Sequence, residues 1–119
     1  MVSLNKHLRG QAYDKLISLR LELGDFQGAM SDYNAALKNN PDDVEAYIRR
    51  GCIQIRLGEY LEATEDFKRA ILIDPNWAKL YYDKIEEALE NVEREDVKQQ
   101  IIQNFMIRVG NAYYTAGNY

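Results

Sequence analysis

The residues able to do chemistry on their own are sparse in this chain. There is one histidine, His7, and one cysteine, Cys52, among 119 residues. A single imidazole in the N-terminal segment brings no nucleophile beside it, so a general acid–base set is not assembled. One cysteine and one histidine cannot complete a zinc site without recruiting several carboxylates. The acidic runs "DDVE" (42–45) and "EREDV" (93–97) lack the spacing of a calcium loop. They read as solvated turns and as negative charge at helix N-termini, where the helix dipole favours it. The glycines are isolated, so no phosphate-cradling loop is present. The reading is of a protein that is not an enzyme and uses no cofactor or metal.

Charge and composition narrow the partners. The formal net charge is −4, with 46% hydrophobic and 29% charged residues. That is the composition of a folded chain, and it carries no basic footprint for a phosphate backbone. The opening "MVSLNKHLRG" has no apolar signal core, and no apolar run approaches membrane-spanning length. No intrachain disulfide can form, which fits a reducing compartment. The expectation is a cytoplasmic protein that binds protein or peptide, with neither nucleic acid nor membrane as partner. An excised fragment could have lost a targeting segment.

The elements that must position any binding surface come from a repeat. Shifted by 34 residues, "LGDFQGAMSDYNAAL" (23–37) falls on "LGEYLEATEDFKRAI" (57–71). Gly24 meets Gly58, Phe26 meets Tyr60, Ala29 meets Ala63, Tyr33 meets Phe67, Ala36 meets Ala70 and Pro41 meets Pro75. Tyr13, Tyr47 and Tyr81 keep the same interval upstream. The glycines suit a left-handed residue just past a helix end, and Asp25 suits the N-cap of the helix that follows. The alanines allow two helices to approach closely. Tyr33, Ala36 and Leu37 share one helical face. Each proline ends the helix before it, and Asn76 is expected to cap a helix opening at Trp77.

This pattern resembles the tetratricopeptide repeat (TPR) family. The second copy carries it best, through Tyr47, Gly51, Gly58, Tyr60, Ala63, Phe67, Ala70 and Pro75. The resemblance implies an all-α fold: antiparallel helical hairpins stacked into a short right-handed superhelix, an α-solenoid with an extended C-terminal helix. The expected organisation is an N-terminal segment (1–9), a first repeat (10–43), a second (44–77), a divergent or partial third (78–102) and the first helix of a further, incomplete repeat (103–119). The expected helices are 11–23, 27–39, 43–57, 60–73, 77–92 and 96–116. Arg20, Arg50 and Gln54 depart from the family pattern, as does Ile17 where a small residue is usual; the arginines could snorkel or pair with a carboxylate. The third repeat lacks its glycine. A turn is expected around 93–96, with Asp96 as N-cap and Gln99 as its capping partner.

The resemblance also implies where a partner would lie. First-helix positions 2, 5, 9 and 12 line the concave groove, here Gln11, Asp14, Ser18 and Leu21; Glu45, Ile48, Cys52 and Ile55; Lys79, Tyr82, Glu86 and Leu89. This reads as an apolar centre (Ile48, Cys52, Ile55, Tyr82) flanked by Asp14, Glu45 and Glu86, suited to an apolar peptide with basic flanks. A TPR subgroup that clamps chaperone tails uses cationic and amide side chains where this chain has Asp14, Ser18, Cys52, Tyr82 and Glu86, so acidic tails should be rejected. Most tyrosines (Tyr13, Tyr33, Tyr47, Tyr60, Tyr81, Tyr113) fall at packing positions, whereas Tyr82 and Tyr114 should face the groove. The alternative is self-association. Phe105, Val109, Ala112, Tyr113 and Ala116 form an apolar stripe whose hairpin partner is missing, which predicts a homodimer through a C-terminal helix that projects outward. The other possibility is that this chain's own helix covers the strip.

Overall fold

The computed structural model describes the backbone of residues 14–115 and the side chains of residues 14–112. Its described residues form helices joined by short turns and connections, with no strand among them. Helix α1 occupies residues 14–22. It is followed by α2 (Phe26–Asn39), α3 (Val44–Arg56), α4 (Tyr60–Ile73), α5 (Pro75–Leu80), α6 (Tyr82–Leu89) and α7 (Glu95–Thr115). The helices stack as hairpins, the all-α repeat architecture that the 34-residue period implies.

The first two hairpins turn as the sequence dictates. Gly24 and Gly58 have φ of 75° and 79°, the left-handed region that a Cβ disfavours. Each closes the same pair of hydrogen bonds: Gly24 N–H to Leu21 O with Asp25 N–H to Arg20 O, and Gly58 N–H to Ile55 O with Glu59 N–H to Gln54 O. These pairs satisfy carbonyls that the helix end would leave bare. Asp25 then caps α2 by accepting from the Gly28 N–H, and Asp43 caps α3 by accepting from the Ala46 N–H. Glu59, in the register of Asp25, makes no side-chain cap bond. Ala29, Ala63 and Ala70 are fully buried. A Cβ on Gly51 would stand 2.5 Å from Phe67 Cε1, so the α3–α4 approach needs glycine there.

Two apolar clusters share α3. Ala46 and Ile53 join Ile17, Ala29, Tyr33 and Leu37 on one side. Val44, Ile48 and Ile55 join Phe67, Ile71, Ile85, Leu89 and Phe105 on the other. A helix buried along both flanks has little face left for a ligand.

Four expectations need correction. Asp74, not Asn76, caps the helix after the second hairpin: its carboxylate accepts from the Trp77 N–H, and Pro75 takes the first helical position, where its missing N–H costs nothing. The helix foreseen over 77–92 is two helices, because the chain leaves helical geometry at Tyr81 (φ −98°, ψ 10°) and its neighbours close i,i−3 bonds, Tyr81 N–H to Ala78 O and Lys84 N–H to Tyr81 O. Asp96 lies inside the first turn of α7 rather than at its cap; its carboxylate pairs with Arg94 at 2.6 Å, and Gln99 donates to Glu95. Finally, α7 does not project outward. It packs along α4 and α5, with Ile101, Phe105 and Val109 buried in this chain's own core.

Candidate binding surfaces

The apolar centre foreseen for the groove is closed. Ile48 is 0% and Ile55 2% exposed, and Leu89 is buried with them, because α6 lies across this face of α3. Cys52 is half-buried, with its Sγ 3.5 Å from the Lys84 carbonyl oxygen. Burial pushes its thiol up to about 12, so it stays protonated and unreactive near neutrality. Tyr82 is also half-buried and tilts against Phe105, with ring centroids 5.5 Å apart.

The stripe assigned to self-association is divided. Phe105 and Val109 are core, Phe105 meeting Phe67 edge-on at 6.2 Å. Ala112 is half-buried against the same cluster. The Tyr113 and Tyr114 side chains lie outside the described residues, as do Ala116, His7, Gln11 and Tyr13. Phe105 and Val109 are thus taken up by this chain's own core, and a homodimer through α7 finds no support among the described residues.

The polar members of the foreseen groove stay accessible, in separate groups. Asp14 and Ser18 share a shallow depression on α1 with Lys15 and Glu22. Lys79, Tyr82 and Glu86 share another across α5 and α6 with Asp83. Between α1 and α3 lies a recess of about 50 Å³ where Asp14, Asp43 and Glu45 meet Arg49 over a floor that includes Ile17 and Tyr33.

The recess has an uneven charge balance. Asp43 is committed to its cap. Glu45 accepts from Arg49 Nε at 2.7 Å and from the Tyr81 hydroxyl at 3.0 Å. Asp14 has no ion pair among the described residues; partial burial, and next the negative charge of Glu45, hold its carboxyl above the usual aspartate range. No group of His, Cys, Asp and Glu side chains among the described residues is placed to hold a metal ion.

Other charges are spent on architecture. Asp66 is 1% exposed and grips Arg50 through two bonds, Nε to Oδ2 at 2.7 Å and Nη2 to Oδ1 at 2.6 Å, with Arg69 as a further donor. Asp32, one period earlier, accepts from Arg20 Nε at 2.6 Å. The arginines that depart from the family pattern thus answer aspartates 34 residues apart, but Arg20 and Arg50 occupy different repeat positions, so the period alone does not reveal the pairing. Gln54 is buried, and its Oε1 accepts no hydrogen bond among the described residues. No helix among the described residues is long and apolar enough to cross a membrane.

Comparison with known proteins agrees with this geometry. A family model described as tetratricopeptide repeat matches residues 15–79. Hsp70-Hsp90 organizing protein 3 of Arabidopsis thaliana is 32% identical over 84 residues, covering 60% of this chain and 15% of that protein. A Protein SGT1 homolog of Oryza sativa subsp. japonica is 30% identical over 91 residues, covering 76% of this chain and 25% of its own length. Tetratricopeptide repeat protein 16 of Macaca fascicularis is 30% identical over 117 residues, which is 85% of this chain and 13% of that protein. The chain thus spans a quarter or less of the length of each of these relatives.

Proposed function

Because the chain belongs to the tetratricopeptide repeat family, we propose that it is a non-catalytic interaction module that takes a basic segment of a partner protein on its first-helix face. The observation that supports this reading is Asp14, a carboxylate without an ion pair among the described residues, facing Glu45 and Asp43 across a recess that holds one guanidinium. The recess has roughly the room of one or two water molecules, enough for the tip of a lysine and not for a folded ligand. A cation entering it relieves the repulsion between Asp14 and Glu45, which gives a preference for basic over acidic segments. Ser18 on α1, and Lys79 and Glu86 on α5 and α6, would then border the track of the bound segment.

The name of Hsp70-Hsp90 organizing protein 3 does not extend to a tail-clamping role here, because Asp14, Ser18, Cys52, Tyr82 and Glu86 stand where tail-clamping repeats carry cationic and amide side chains. The test is titration with a lysine-bearing peptide and its glutamate counterpart at low ionic strength. The lysine peptide should bind more tightly, and Asp14→Asn should weaken it several-fold, on the order of one charge-assisted contact. Binding should also weaken as pH falls through the carboxylate range: protonating Asp14 removes the attraction, and its raised pKa brings the loss in at a higher pH than an ordinary aspartate would. Equal or tighter binding of the glutamate peptide contradicts the reading.

A further inference from the structure

A second surface, built from other helices, has the opposite charge. Where the end of α4 meets Pro75 and the C-terminal half of α7 lies a cleft of about 390 Å³, within the lower range of ligand-sized pockets. Ile71 and Leu72 of α4 line it together with Ala112 of α7. Ile71 is buried, whereas Leu72 is 72% exposed, a large apolar side chain left in water at the edge of a concavity. Among the described residues the charged members of the lining are both cations, Lys68 and Arg108, and no carboxylate joins them. Both are half-buried, and neither enters an ion pair among the described residues. Arg108 is held by its Nε bond to Asn104 Oδ1 at 2.6 Å, which fixes the guanidinium and leaves its two terminal nitrogens as donors.

Two half-buried cations beside apolar side chains, on a protein whose net charge is −4, give this cleft a local positive charge that complements an acidic segment. We infer that this cleft docks an acidic, apolar-anchored segment of a partner polypeptide, with a carboxylate between Lys68 and Arg108 and an apolar side chain on Ile71 and Leu72. It shares no residue with the recess between α1 and α3, so the module presents two docking surfaces of opposite charge preference. This surface does not depend on the reading of the first.

The experiment uses the full chain and a short fluorescein-labelled peptide with leucine and phenylalanine between glutamates, followed by fluorescence anisotropy. The glutamate peptide should bind, and Lys68→Glu and Arg108→Glu should each weaken it by about tenfold. Asp14→Asn should leave it unchanged, which separates this surface from the recess. Amide chemical shifts should move at Lys68, Leu72 and Arg108 in the unsubstituted chain, a readout that needs no variant to fold. Absence of binding, binding unaffected by both charge reversals, equal binding of the lysine counterpart, or occupation of the cleft by a second copy or by residues 116–119 of the same chain would overturn the proposal.

Discussion

The second hairpin and the unit that follows it reach the same packing by different means. In α3–α4 each boundary carries a residue with a stereochemical reason: Asp43 at the cap, Gly58 at φ 79°, Asp74 and Pro75 at the exit. The following unit has no such punctuation. Its first helix breaks at Tyr81, its turn passes through 90–94 without a positive φ, and its second helix runs unbroken for 21 residues. What holds it is a seam at four-residue spacing, Ile101, Phe105 and Val109, laid into the core of the hairpin before it. Burial can therefore stand in for turn chemistry, and a repeat whose turn signal has decayed still packs as a repeat.

The comparison breaks most visibly at Phe105. If α7 is part of this chain's core, Phe105→Ala should cost about 3–5 kcal/mol, read as a large fall in denaturation midpoint. An unchanged midpoint would mean that α7 is a dispensable appendage. A loss approaching that size, about 3 kcal/mol, is expected for Asp66→Ala, which takes both carboxylate bonds from the half-buried Arg50 guanidinium and leaves it the Asn34 side-chain carbonyl oxygen. Asp32→Ala should cost clearly less, since Arg20 keeps Asp25 and is itself more exposed. Equal losses at the two aspartates would deny the difference between the first and second repeats.

The glycines sharpen the contrast further. Gly58→Ala should destabilise by about 1–2 kcal/mol because φ is positive. Gly110→Ala, inside α7 with nothing beyond its own stretch of helix within 4 Å of the added Cβ, should stabilise by about 0.5–1 kcal/mol. Thermal melts that moved in the same direction for both would mean that Gly110 does not sit in a continuous helix. The smallest effect is expected at Gln54. Replacing its orphaned buried amide with the similarly sized leucine should be neutral or stabilising by up to about 1 kcal/mol; a clear loss would reveal a partner for Oε1.

The legible part of the fold was the part written in local chemistry. Gly24, Gly58, Asp25 and the two prolines each act within a few residues of themselves, so their spacing alone placed the turns and the repeat. Helix α7 was legible as a long helix for the same reason: nothing between Val97 and Val109 could stop it. Its direction was not, because that depends on how Phe105 fits Phe67 and Tyr82, contacts that span 38 and 23 positions. The groove failed at Ile48 and Ile55 for a related reason. Their repeat positions marked them for the open face, but the break at Tyr81 accompanies the seating of α6 over them, and no residue type at Tyr81 announces a break. Asp14 and Glu45 were identified by register, and the structure brings them into one recess. Lys68 and Arg108 were missed. They lie 40 positions apart on helices whose meeting the repeat does not specify.

The central claim is that the charged recess between α1 and α3, and not the Phe105–Val109 seam of α7, receives the basic segment of a partner. Amide chemical shifts recorded as the lysine-bearing peptide is added test it most directly. The account predicts changes at Asp14, Ala46 and Arg49 that saturate with one peptide, while Phe105 and Val109 stay fixed and the tumbling time remains that of one chain. Changes centred on Phe105 and Val109 with slower tumbling, or none at Asp14 and Arg49, would contradict it.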